Sequence, residues 1–246
     1  MQAPNIEATD PRWKPLFRFG AIAALSMVGI IVVQFVVFMT APPPLEGTAI
    51  DWFRLFQQNK FIGLIDFELL MVVYTLLSIP LALALYFALR QTDQAFAALS
   101  VALTLVGVVC FVAARPALEM LYLSDQFAAA TSEAQKALFL AAGEAKLATF
   151  HGTAFQVSYL LGSLNGLVIS IVMWRSGLFS KATAYVRLGS SLFDLGLYVP
   201  GIGMYLSIFS VFFLFAWNIM VARKLFQLAR PAASQVLKAS REIPAS

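Results

Sequence analysis

From Phe17 the chain reads FRFGAIAALSMVGIIVVQFVVFMT before Pro42-Pro43-Pro44 stops it. About 20 mostly apolar residues, rising 1.5 Å each, suffice to cross a bilayer as a helix. Comparable runs recur over 61–89, 95–114, 150–174 and 202–222, with a shorter stretch over 185–200. Hydrocarbon offers no water to an open backbone, so such runs must close their own hydrogen bonds as helices. The pattern predicts an all-α, polytopic membrane helical bundle of six transmembrane helices, with an extra amphipathic helix on the outer side. Arg12, Lys14 and Arg18 precede the first run, as they would in a signal peptide. The run exceeds a signal h-region of about 7–15 residues and no A-x-A site follows, so it is expected to be an uncleaved anchor.

Composition excludes most other classes. The chain is 60% hydrophobic and 12% charged, about half the charge of a soluble domain. The net charge of +4 is spread along the chain, so no nucleic-acid footprint forms. The single cysteine, Cys110, allows no intrachain disulfide, and the single histidine, His151, allows neither a His-rich zinc site nor a bis-histidine haem. G-x-S-x-G, P-loop and H-E-x-x-H patterns are missing, and the fourth span carries no arginine ladder. No cofactor and no metal are expected.

Orientation follows from the side on which Lys and Arg fall. With the N-terminus inside, twelve of the 17 basic residues are inside; only Arg54, Lys60, Arg115, Lys136 and Lys146 are outside. This places residues 1–16 and 230–246 in the cytoplasm around a transmembrane domain over 17–229, in a bacterial inner membrane. Trp174 and Trp217 are expected in an inner aromatic belt and Trp52 in an outer one. The outer connection, 116–149, is expected to be helical. Ser132 and Gln135 form a capping-box pattern, and the segment either rests on the membrane surface or continues into the fourth span.

Polar groups within the spans are the candidate site. A charge at the bilayer centre costs at least about 2.5–3.5 kcal/mol, so each needs a partner or a purpose. By helical rise, Asp66 lies roughly 8 Å and Asp194 roughly 9 Å below the outer surface. Gln34 and Gln156 reach the same level, and Ser207 lies close to it. Asp66 and Glu68, two residues apart, diverge by about 200° around a helix axis. Asp66 is therefore matched with Asp194, whose stripe includes Tyr198, while Glu68 is matched with Arg115 or His151. Arg115 and Glu119, four apart, can also pair with each other. The layer reads either as structural polar packing or as a ligand pocket. Gly162 and Gly166 make a small-xxx-small pattern that admits close helix packing.

The stretch ALEMLYLSDQFAAATSEAQKALFLAAGEAKLATFHGTAFQVSYLLGSLNGLVISIVMWRSGLFSKATAYV (117–186), with the later AWNIMVARKLFQL, resembles bacterial membrane proteins of the domain-of-unknown-function 4386 family. The resemblance implies a helical integral membrane protein and transfers no catalytic or binding residue. Three functions stay open. The first is binding, sensing or passage of a small solute or lipid at Asp66, Asp194, Gln34, Gln156 and Tyr198. The second is an intramembrane enzyme acting on lipid, in which Asp66, Glu68, Glu119 and His151 hold a divalent cation or act as general acid and base, and the third is a non-catalytic assembly subunit. Membrane lipids are the expected surroundings in each case.

Overall fold

The computed structural model describes residues 10–230. The expected cytoplasmic tail, with Lys238 and Arg241, and most of the expected N-terminal segment lie outside the described residues. The chain is all-helical, 85% helix, and no strand occurs among the described residues. Ten α-helices follow in order: α1 Lys14–Thr40, α2 Ala49–Gln58, α3 Lys60–Asp66, α4 Leu69–Leu89, α5 Gln94–Ala113, α6 Ala117–Ala129, α7 Glu133–Phe150, α8 Thr153–Ser176, α9 Lys181–Leu195 and α10 Gly203–Leu228. Among the described residues, five helical stretches are long and apolar enough to cross a membrane; they contain α1, α4, α5, α8 and α10. The stretch expected as the fifth of six spans, 185–200, falls instead on α9 and a 3-10 turn over Gly196–Tyr198. It does not reach that length and apolarity: α9 has 15 residues and carries Arg187, Ser190 and Ser191, which are buried along it.

The helices divide into two compact units. One comprises residues 29–76 and 105–161. Its centre is aromatic: Trp52, Phe53 and Phe56 of α2 pack with Phe67, Met120 and Phe150. Apolar residues at 49, 52, 53 and 56 recur at helical spacing, which gives α2 one buried face. Asp51 starts that helix by accepting hydrogen bonds at 3.0 Å from the Thr48 N–H and hydroxyl. Glu144 on α7 accepts from the Ala49 N–H at 2.8 Å, so a second carboxylate serves the same helix end. Trp52 is therefore core, 1% exposed and edge-on to Phe67, and not a residue of the outer belt. The expected outer helical segment is a pair, α6 and α7, whose turn is capped by Ser132 accepting from the Gln135 N–H at 3.3 Å. The Gln135 side chain bonds to the Thr131 N–H and not to that of Ser132, so only one arm of the capping box forms.

The other unit comprises residues up to 28, 77–104 and 162 onward. Asn165 joins α8 to α5, accepting from the Ser100 hydroxyl at 2.5 Å and donating to Thr104 at 3.0 Å. On α9, Phe193 stacks against Phe213 of α10, with ring centroids 5.3 Å apart. Trp217 is 5% exposed under the Arg187 guanidinium, 5.0 Å from its ring centre, so it also departs from the expected belt. Trp174 is exposed. A methyl placed on Gly166 would collide with Ser191 and the Arg187 guanidinium, so α9 closes on α8 there. At Gly162 such a methyl meets nothing within 4 Å.

Candidate functional site

The apolar run expected as one span over 61–89 is broken. α3 stops at Asp66 and α4 starts at Leu69, and Glu68 between them adopts φ 61°. That left-handed conformation is uncommon for a residue with a side chain, and Glu68 is its only non-glycine instance among the described residues. α3 itself is well specified. The Asn59 side chain accepts from the Phe61 and Ile62 N–H groups, and Gly63 lies under the Phe56 ring, where a methyl would come within 2.5 Å.

Arg115, between α5 and α6, holds the break. Its Nε donates to Glu68 Oε2 at 2.5 Å and its Nη1 to the Phe150 carbonyl at 3.0 Å. The guanidinium is ringed by Phe111, Phe150 and Phe155 at 4.5, 4.2 and 4.5 Å from their centres. Its side chain is 2% exposed, against 24% for Glu68. This cation is therefore paired with Glu68 rather than with Glu119, which lies exposed on α6.

Near the break, two residues leave buried acceptors without partners. Gln34 of α1 is 7% exposed, and its Nε2 donates to the Ile65 carbonyl at 3.0 Å. A carbonyl can only accept, so this bond fixes which end of the amide carries nitrogen. The Gln34 Oε1, held next to Nε2 by the amide plane, has no hydrogen-bond partner. Asp66, one residue after Ile65, is 0% exposed, and neither of its carboxyl oxygens has a partner. Buried polar atoms in native proteins are overwhelmingly paired, and three acceptors left over beside one carbonyl call for an explanation.

The other candidates have surroundings of their own. His151 caps α7, is exposed, and lays its ring edge-on against Phe150 with centroids 4.9 Å apart. It lines a surface hollow with Leu45, Glu46, Gly47 and Leu147, and its side chain makes no hydrogen bond to a carboxylate among the described residues. Gln156 is exposed on α8. Asp194 belongs to the other unit, where its carboxylate accepts from the Ser210 hydroxyl. Tyr198, 47% exposed in the same unit, lines a hollow with Leu197, Pro200 and Gly201. Among the described residues no group of three or more His, Cys, Asp or Glu is placed to hold a metal ion. The sequence singled out Gln34 and Asp66 by depth alone; that Gln34 anchors to the turn before Asp66 carried no local signal.

Residues 20–223 match a family model described as "Domain of unknown function (DUF4386)". The chain belongs to that family. The match covers most of the protein, with all or most of each of the five stretches long and apolar enough to span among the described residues, and with them identifies a DUF4386 membrane protein. No curated protein and no solved structure matches it.

Proposed function

We propose that this DUF4386 protein binds a small polar ligand at Gln34 and Asp66, in the outer half of a six-crossing inner-membrane bundle. One observation carries the reading: a fully buried carboxyl group with no partner, on the residue that follows the carbonyl to which a buried amide, its own oxygen unpaired, is bonded. Desolvating such groups costs about 1–3 kcal/mol each in proteins, a cost that bound ligand offsets. Asp194 is the second candidate, and its Ser210 hydrogen bond gives it less need of a ligand.

The sixth crossing is α9 extended by its 3-10 turn, Lys181 to Tyr198, about 27 Å at the α-helical rise and so just short of a typical hydrocarbon core. An even number of crossings returns the C-terminus to the N-terminal side, in keeping with the excess of Lys and Arg on one side of the chain. On this topology both termini are cytoplasmic and Asp66 faces the outer half.

The test is thermal unfolding of detergent-purified wild type, Asp66→Asn and Asp194→Asn against a panel of inorganic salts, amino acids, sugars and short-chain phospholipids. Binding to the folded state raises the melting temperature. The reading expects at least one compound to raise that of wild type and to lose its effect in Asp66→Asn. It is overturned if every compound moves wild type and Asp66→Asn equally.

A further inference from the structure

We infer that the Gln34–Asp66 site takes a small monovalent cation, a proton or a sodium ion. The inference rests on the pocket reading above and narrows it by the chemistry of the unpaired atoms. Gln34 has one donor end, already spent on the Ile65 carbonyl, and so presents only its oxygen. An ionised Asp66 presents two more oxygens and no hydrogen. Unpaired acceptors with no donor among them cannot satisfy an anion or a carbonyl, which bring further acceptors; they take a hydrogen-bond donor or a cation, and an ionised carboxylate buried without a counterion favours the cation.

No side chain nearby supplies that charge. α3 packs against α2 and α6 and is bonded to α1 through Gln34. The α1 segment from Gly29 to Thr40 has no ionisable side chain. On α2, Arg54 is exposed and reaches Asp51. On α6, Asp125 is exposed and paired with Lys60 of α3 at 2.8 Å, and Glu119 is exposed. Arg115, the one buried cation of this unit, is committed to Glu68 and the Phe150 carbonyl. His151 is exposed and makes no side-chain hydrogen bond. Asp66 is left as a buried acid without a counterion.

Backbone geometry adds to the same sign. Asp66 is the last residue of α3, where carbonyl groups present the negative end of the helix dipole. A second anion is unfavourable there and a cation favourable. A helix interrupted at membrane depth, with its C-terminal end beside a carboxylate, is the arrangement by which discontinuous helices coordinate sodium or protons. The break at 67–68 supplies it here.

The experiment follows the melting temperature of detergent-purified full-length protein in NaCl, KCl and choline chloride at equal ionic strength and alkaline pH. A second series runs from about pH 8 to about pH 5 in choline chloride. Wild type, Asp66→Asn, Gln34→Met and a His151→Ala control are compared. A sodium site gives a rise of about 5 °C or more at saturating NaCl, absent in choline chloride and in Asp66→Asn. A proton site gives no sodium effect but a rise as pH falls that persists in His151→Ala and vanishes in Asp66→Asn. Gln34→Met, which removes one of three acceptors, shifts the half-saturating sodium or proton concentration at least about 5-fold. It keeps the test available if Asp66→Asn does not fold. The inference is overturned if neither series separates wild type from Asp66→Asn, or from Gln34→Met where Asp66→Asn does not fold. A neutral or anionic compound in the earlier panel that acts through Asp66 while neither series does overturns the cation and leaves the pocket. If nothing acts through Asp66, both fall.

Discussion

Replacing Arg115 by methionine should be a damaging change at the break, and its size can be worked out. Methionine keeps an unbranched apolar stem among Phe111, Phe150 and Phe155 and deletes the guanidinium. Glu68 loses a charge-assisted hydrogen bond of about 1.5–3 kcal/mol. The Phe150 carbonyl loses a donor, and loss of the cation over three rings adds about 1 kcal/mol. Against this, a guanidinium whose side chain is 2% exposed no longer has to be dehydrated. Glu68, 24% exposed, recovers some water once its partner is gone. The net loss should be about 3 kcal/mol, at the lower edge of the range for breaking a buried pair. Equilibrium unfolding in mixed detergent micelles would measure it for Arg115→Met, Glu68→Gln and the double variant. Because the double variant buries neither charge, it should be more stable than Arg115→Met alone, with a coupling of about 1.5–2 kcal/mol. A loss below about 1 kcal/mol for Arg115→Met, or effects that add within about 0.5 kcal/mol, would refute the claim that this pair holds the break.

Other substitutions test separate parts of the fold. Gly166→Ala should cost about 1–3 kcal/mol by forcing α9 off α8, whereas Gly162→Ala, with open space around it, should be neutral or stabilising by about 0.5–1 kcal/mol in the same unfolding assay. Trp52→Ala should cost about 3–5 kcal/mol as a core truncation; a change below about 1 kcal/mol would return Trp52 to the membrane interface. The Thr48 N–H and hydroxyl hold the Asp51 carboxyl below its ordinary 3.8. A carboxylate lowered on folding stabilises above its unfolded value and loses that contribution as pH falls through the folded one. The melting advantage of wild type over Asp51→Asn should therefore be full near about pH 5 and shrink below 3.8. An advantage that does not change with pH would contradict the cap.

Much of this architecture is written in single stretches of sequence, and what is not has a physical cause. α1, α5, α8 and α10 begin and end within a few residues of their apolar runs, because length and hydropathy alone decide whether a segment fits a bilayer. The interruption at 67–68 has no such mark. Phe67 and Glu68 include neither glycine nor proline, and Arg115, which pairs with Glu68 in the left-handed turn, is distant in sequence. The 200° divergence expected of Asp66 and Glu68 assumed a continuous helix, which that turn abolishes. α2 was legible and overlooked: Thr48 and Asp51 stand at capping distance, and positions 49, 52, 53 and 56 carry the helical stripe. α9 could not be classified by hydropathy, since its polar residues are buried against neighbouring helices. Depth arithmetic found Gln34 and Asp66 individually, and only tertiary structure joins them through Ile65.

The turn at Glu68 is a latch rather than a hinge. A glycine in its place would reach φ 61° without strain and would be equally content in other conformations. Glutamate favours the right-handed helix, so the turn stands against that preference through its surroundings: Arg115 on Glu68, the aromatic packing of Phe67 and the Gln34 bond to the Ile65 carbonyl. Asp66, set between those contacts, takes its place in the chain from neighbours on other segments.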